Sequence, residues 1–235
     1  MSTPTSFNGF PPTALDFLRE LEVNNEREWF EAHKHIYQNN IVAHVPAFVA
    51  ELGEKLKTIA PGIQVDARVN GAGSMMRIYR DIRFSQDKTP YKTKVAFVFW
   101  EGPLKKMENP AFGFQFGAEG GELMAGQFML PKELLTIYRQ AVADEAQGNE
   151  LVAILKAITG DTRYNISGER SKRIPTGYDA NHPRAELLRY QGLYAHTNTV
   201  TPAQLTSADL VDCCFEHCRV MAPLQQWLVR LAEGK

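Results

Sequence analysis

The hydrophobic period changes twice along this chain, and those two changes limit the folds open to it. Before Pro61-Gly62, apolar residues recur at helical spacing. Leu15, Leu18 and Leu21 make one stripe. Ile41, Val45, Phe48, Val49, Leu52 and Leu56 make another. Between residues 64 and 130 the period drops to two. Val65, Ala67 and Val69 alternate with polar neighbours, Phe112, Phe114 and Phe116 alternate, and 95–100 is a short apolar run. After Pro131 the helical spacing returns. Helices at both ends around one block of strands predict an α+β fold, with a mainly antiparallel sheet over about residues 64–130.

In more detail, the pattern predicts helices from Thr13, over 26–35, and over 36–59, where Pro46 kinks the helix or opens a new one. Strands are expected at 65–69, 74–85, 95–100, 112–116 and 123–127, with a hairpin loop over 117–121. Residues 193–200 read as an edge strand. Residues 132–142, 151–158, 184–190 and the segment from Pro202 onward read as helical, and 160–183 as an irregular basic segment. Residues 1–12 are expected to form a loose arm whose Phe7 and Phe10 tuck onto the body, and 13–235 a single domain.

A net formal charge of −1 gives no whole-molecule attraction to nucleic acid or membrane. The charge is unevenly spread, however. Residues 77–94, RIYRDIRFSQDKTPYKTK, hold six basic and two acidic groups, a net of +4, so the rest of the chain sums to −5. If 74–85 is a strand, side-chain parity sorts it. Met76, Ile78, Ile82 and Phe84 form an apolar face, interrupted by Arg80, which is expected in a buried ion pair. Arg77, Tyr79, Asp81, Arg83 and Ser85 form the other face. A turn at Asp87–Pro90 then brings Lys88, Tyr91 and Lys92 back towards the arginines.

Guanidinium groups on a rigid strand offer forked, permanently charged donors suited to a fixed anion. The candidate ligand-binding residues are therefore Arg77, Tyr79, Asp81, Arg83, Asp87, Lys88, Tyr91 and Lys92, with Arg173 from the later basic segment. Phosphorylated metabolites, nucleotides and nucleic-acid ends all fit such a set. One alternative is an enzyme using Asp81 or Asp87 as base or metal ligand. Another is an interaction module in which the run is a solvated strand or an Arg–Asp network that serves only the fold.

The run resembles the central motif of the domain of unknown function 2461 family, a set of bacterial and fungal proteins. FLRELEVNNEREWF (residues 17–30) and RIPTGYDANHP (residues 173–183) are similar to it as well, so the resemblance covers roughly residues 7–230. It implies no activity, cofactor or catalytic residue. It does suggest that the three matched stretches converge, with Asn24, Asn25, Glu28 and Trp29 from the first joining the arginines. The plainer reading of Asn24-Asn25 is a helix cap and turn, and of Trp29-Phe30, core.

Other constellations carry less. Cys213, Cys214 and Cys218 lie within six residues of one helix and read as core packing, because adjacent faces of one helix cannot supply four convergent zinc ligands. No metal site is read. Residues 71–74 have glycines without the spacing of a phosphate loop, and no Gly-x-Ser-x-Gly occurs. An odd, clustered cysteine set points to a reducing compartment. With no leader-like start and no apolar run long enough to span a bilayer, the expectation is a cytoplasmic, soluble protein. Substrate, cofactor and oligomeric state are not legible.

Overall fold

Alternation in the middle of the chain builds the sheet. The computed structural model describes residues 6–83 and 85–234, so Phe84 and residues 1–5 of the expected arm lie outside the described residues. In β1 (Val95–Trp100), Val95, Phe97 and Phe99 are buried while Ala96, Val98 and Trp100 are only partly covered. β2 (Ala111–Gly117) and β3 (Gly120–Gln127) follow as an antiparallel hairpin, with Phe114 opposite Phe97 and Leu123 opposite Phe114. β5 (Leu193–Val200) pairs antiparallel with β3, and the three-residue β4 (Asn165–Ser167) pairs with β5, giving the order β1-β2-β3-β5-β4.

The inward side chains of the sheet meet helices from both ends of the chain. Phe48 of α3 (Val45–Leu56) lies 4.9 Å from Phe97 and 5.6 Å from Phe114, ring centre to ring centre. Phe10 lies 4.6 Å from Phe116, and both Phe7 and Phe10 are buried, so this part of the expected arm belongs to the core. The long α8 (Leu210–Ala232) packs on β2, β3 and β5. Its Trp227 meets Tyr138 of α4 (Lys132–Ala143) edge to face. A buried carboxylate ties the end of β1 to α8. Glu101 accepts from Gly62 N at 2.7 Å, Gln225 Nε2 at 3.2 Å and Gln226 Nε2 at 2.5 Å. Among the described residues, no helix is long and apolar enough to cross a membrane.

Several expectations need correction. The boundary expected between residues 35 and 36 lies further on: α2 (Arg27–Asn40) takes in the helix expected over 26–35 and the start of the next, and α3 follows after a 3₁₀ turn at Val42–His44. Pro46 would clash with the carbonyl of residue 42 in a continuous helix, so it sits instead in the first turn of α3. Residues 65–69 form no strand. Asp66 uses its carboxylate on Arg68, and only Gln64 bridges to Trp100. β5 is an interior strand rather than an edge, because β4 covers it, and the sheet therefore extends well beyond residue 130. α5 (Glu145–Thr159) starts six residues before the expected 151, where Asp144 caps it by accepting from Gln147 N at 2.9 Å.

Behind β5 the buried His217 of α8 is held on both ring nitrogens, Nδ1 by Tyr164 Oη at 2.9 Å and Nε2 by Thr199 Oγ1 at 3.3 Å. Burial, helped by the nearby Arg163, holds its pKa below the usual 6.5. As pH falls through that usual value, the unfolded chain takes up a proton that the folded chain refuses. The stabilisation is therefore complete above it and is lost on acidification towards the depressed folded value. Burial shifts His44 in the same direction. Melting temperatures recorded from about pH 7.5 to pH 5.5 should fall in the wild type and fall less steeply in His217→Asn. Parallel slopes would show that His217 does not titrate between the two states.

Candidate functional site

The basic run folds as a broken strand pair along the outer edge of β1. Val98 N donates to Ser74 O at 2.9 Å and Met76 N to Ala96 O at 2.8 Å; Lys92 N donates to Ile78 O at 2.7 Å and Arg80 N to Pro90 O at 2.9 Å. The first two bonds flank the bridge Met75–Phe97 and the last two the bridge Tyr79–Tyr91. The register jumps by two residues between them, at Thr93-Lys94, so no continuous ladder forms where residues 74–85 were expected to be a strand. The alternation survives. Ile78 is buried and Met76, Arg80 and Ile82 are partly covered, whereas Arg77, Tyr79, Asp81 and Arg83 are exposed.

Two of the three matched stretches meet. Asn25 Oδ1 accepts from Tyr91 N and Asn25 Nδ2 donates to Tyr91 O, both at 3.0 Å, so one side chain pairs with a strand as a peptide group would. Beneath that clamp the rings of Phe30 and Tyr91 stack 4.0 Å apart. Asn24 has the expected capping place, at the C-terminal end of α1 (Pro12–Val23). The third stretch lies elsewhere. Arg170, three residues before it, packs over the Tyr190 ring at 4.4 Å and donates to its hydroxyl, next to β4. Since β1 and β4 are opposite edges of the sheet, that segment is on the order of 20 Å from the basic run. Arg173 is exposed there and does not join the other candidates.

At the tip, the charges satisfy one another locally. Arg83 Nη2 donates to Asp81 Oδ2 at 2.7 Å, and the Arg83 amide donates to Asp81 Oδ1 at 3.2 Å. The Arg83 side chain holds the Asp81 pKa down to about 2. Asp87 accepts from Thr89 N at 2.9 Å and Thr89 Oγ1 at 2.7 Å, and it pairs with Arg80 at 2.5 Å. Its pKa is lowered first by the Thr89 amide. Arg80 thus forms the ion pair expected of it, though its side chain is still 32% exposed. Lys88 Nζ donates to Ile82 O at 2.9 Å. The Asp-x-Arg arrangement recurs at Asp66–Arg68 and Asp161–Arg163, far from the run, which marks it as a local turn device. That threefold repeat is visible in the sequence and was the missed signal.

Arg77 and Lys92 are left. Neither side chain has a hydrogen-bond or ion-pair partner among the described residues. Arg77 joins Lys34, Asn70 and Tyr79 around a cavity of about 220 Å³ beside α2. Lys92 is half-buried on the other side, and burial followed by the charge of Arg77 lowers its pKa. It stands with Arg80 and Lys94 at one end of a cavity of about 410 Å³ on the face of the sheet away from the helices. Ala96, Val98, Gly113, Met107 and Met124 give that cavity a mostly apolar floor, with Thr93 and Gln115 as polar groups in its lining. A Cβ on Gly113 would meet Met124 Cγ at 2.7 Å, so glycine keeps the floor low. Tyr91, buried under Phe30, supports the run rather than facing either cavity opening. These floor residues were missed because they come from alternate positions of strands whose other positions are core.

No group of three or more His, Cys, Asp or Glu among the described residues is placed to hold a metal ion. Cys214 and Cys218 are buried, and burial pushes both thiols up, as packing residues.

Residues 13–227 match the model of a family described as "Conserved hypothetical protein (DUF2461)". The chain belongs to this family. A search of curated proteins finds no match. The match takes in the clamp, the basic run and the whole sheet, so these are parts of the family's domain and not additions to it.

Replacing Asn25 by Ala removes both bonds to Tyr91 while leaving that strand in place. The expected cost is about 1–3 kcal/mol in chemical denaturation, with faster hydrogen exchange at the Tyr91 amide. Unchanged exchange there would show that the clamp does not hold the return strand.

Proposed function

We propose that the protein binds an anionic small molecule with an apolar body, its head group held by Lys92 and its body lying along the open face of the sheet. The observation that carries this reading is a half-buried ammonium with no counter-charge at the mouth of an apolar cavity. Taking a charge partly out of water is unfavourable unless something pairs it, and a bound phosphate or carboxylate would supply that pair. Arg80 and Lys94 add positive potential at the same end, and Arg77 reinforces it from the far side of the strand pair. In this reading Asp81, Arg83, Asp87 and Lys88 build the tip, and Tyr79 lines its flank.

A phosphate-bearing ligand of small-molecule size suits the cavity better than a polymer, since Lys92 and Lys94 stand together at it and no cationic track runs on across the face. The enzymatic alternative through Asp81 or Asp87 is weaker. Both carboxylates are engaged by neighbours that stabilise the ionised form, and a base with so low a pKa takes protons poorly at neutral pH. An odd set of three cysteines clustered on one helix suits a reducing compartment such as the cytoplasm.

Thermal shift with inorganic phosphate, an alkyl phosphate and a medium-chain carboxylate tests the reading. The alkyl phosphate should raise the melting temperature more than inorganic phosphate, because only it fills the apolar floor. Lys92→Gln should remove most of that shift while folding normally. A Lys92→Gln protein that keeps the full shift would overturn the assignment.

A further inference from the structure

Further across the same open face, four adjacent strands contribute one chain of polar side chains. Gln115 of β2 donates through Nε2 to Glu122 Oε2 of β3 at 2.7 Å. The other oxygen, Glu122 Oε1, lies 3.3 Å from His196 Nδ1 of β5. His196 Nε2 lies 3.0 Å from Ser167 Oγ of β4. The side chains of His196 and Glu122 are about one-quarter exposed, at 24% and 26%, so the chain of groups is sheltered but reachable. Register sets the arrangement. Gln115 and Glu122 are direct partners, and the irregularity between Gly121 and Leu123 shifts β3 against β5 beside them.

The acceptors fix the direction of the protons. An ionised carboxylate can only accept, so the neighbouring Nδ1 carries the imidazole proton and Nε2 is left with its lone pair. In the neutral imidazole, Ser167 then donates its hydroxyl hydrogen to Nε2. That is the polarity of an activated hydroxyl: a nucleophile bonded to a base, and the base oriented by a carboxylate.

We propose that Ser167 is a nucleophile for acyl transfer from carboxylic esters, with His196 as its general base and Glu122 as the positioning residue. Ser167 Oγ adds to the ester carbonyl carbon as its proton passes to His196 Nε2. The bond to the alkoxy oxygen then breaks, and the alcohol leaves with that proton. Water adds to the acyl-serine, giving a proton to Nε2, and the acid departs as Ser167 recovers its hydrogen. β4 is the edge of the sheet and pairs with β5, so Ser167 stands at the rim of the open face. Tyr194 is the register partner of Ser167, and Phe128 stacks on it at 5.0 Å. With Met124, Met107 and Lys106 they line a mostly apolar cavity of about 110 Å³, which neighbours Ser167 through Tyr194. Glu22 and Lys94 are the other charged groups facing Glu122 and His196 across a neighbouring cavity of about 350 Å³, together with Glu119 at its rim. The proposal does not use Lys92 and fails separately from the anion reading.

The test treats the intact protein with an alkyl fluorophosphonate, in which attack by Ser167 forms an oxygen–phosphorus bond and releases fluoride, and locates the adduct by peptide mass spectrometry. The expected result is an adduct on Ser167 that is absent in Ser167→Ala and forms about a hundredfold or more slowly in His196→Gln. Glu122→Gln should slow it as well and change the pH–rate profile, while p-nitrophenyl butyrate hydrolysis follows the same order. No Ser167 adduct on the folded wild type overturns the proposal. So does labelling of a folded His196→Gln at the wild-type rate. If that variant does not fold, wild-type labelling speed in Glu122→Gln is the overturning result.

Discussion

The basic run depends on one side chain that behaves as backbone. Asn25 gives Tyr91 an acceptor and a donor in the geometry of a neighbouring strand, although it stands between two helices. The run needs this because its own pairing is thin. Residues 74–80 and 90–98 share bonds on both sides of a two-residue register jump, and none spans the jump. The Phe30–Tyr91 stack supplies apolar contact directly below the clamp. Together they fix the return strand to α2, and side chains of the strand pair line both cavities beside Arg77 and Lys92.

The parts of the fold legible in the sequence were those whose signal needs only one segment. Alternation in 95–100 and 112–116 states which side chains face inward, and they do so in the structure. Parity in the basic run held even without a ladder, because alternation follows from an extended backbone and not from its partner. Strand order was not legible. Leu193–Val200 has the same alternation whether another strand covers it or not, and β4, at three residues, is too short to show a period. The break between α2 and α3 was signalled by Pro46, but the turn that relieves it lies four residues upstream, at Val42–His44.

Resemblance had a similar limit. Three recurring stretches suggested one site, yet two of them share a clamp and the third lies along the opposite edge of the sheet. A match to a family motif marks stretches of chain without saying which of their residues touch. Asn25 illustrates this, since a cap and turn was the plainer reading for it and its actual partner is sixty-six residues away.

Charge density proved a poor guide for a physical reason. Acid and base two residues apart reach each other within a single turn, as Asp81 and Arg83 do, and they neutralise each other before any ligand arrives. The same holds at Asp66–Arg68 and Asp161–Arg163. Groups left for chemistry are those whose partners, if any, come from distant segments. Lys92 is half-buried without one, and His196 finds Glu122 and Ser167 only because three strands are in register. A sheet covered by helices on one face leaves the alternate residues of every strand free for such meetings. Gly113 and Met124 show the consequence: residues at alternate positions of β2 and β3 line both cavities of the open face.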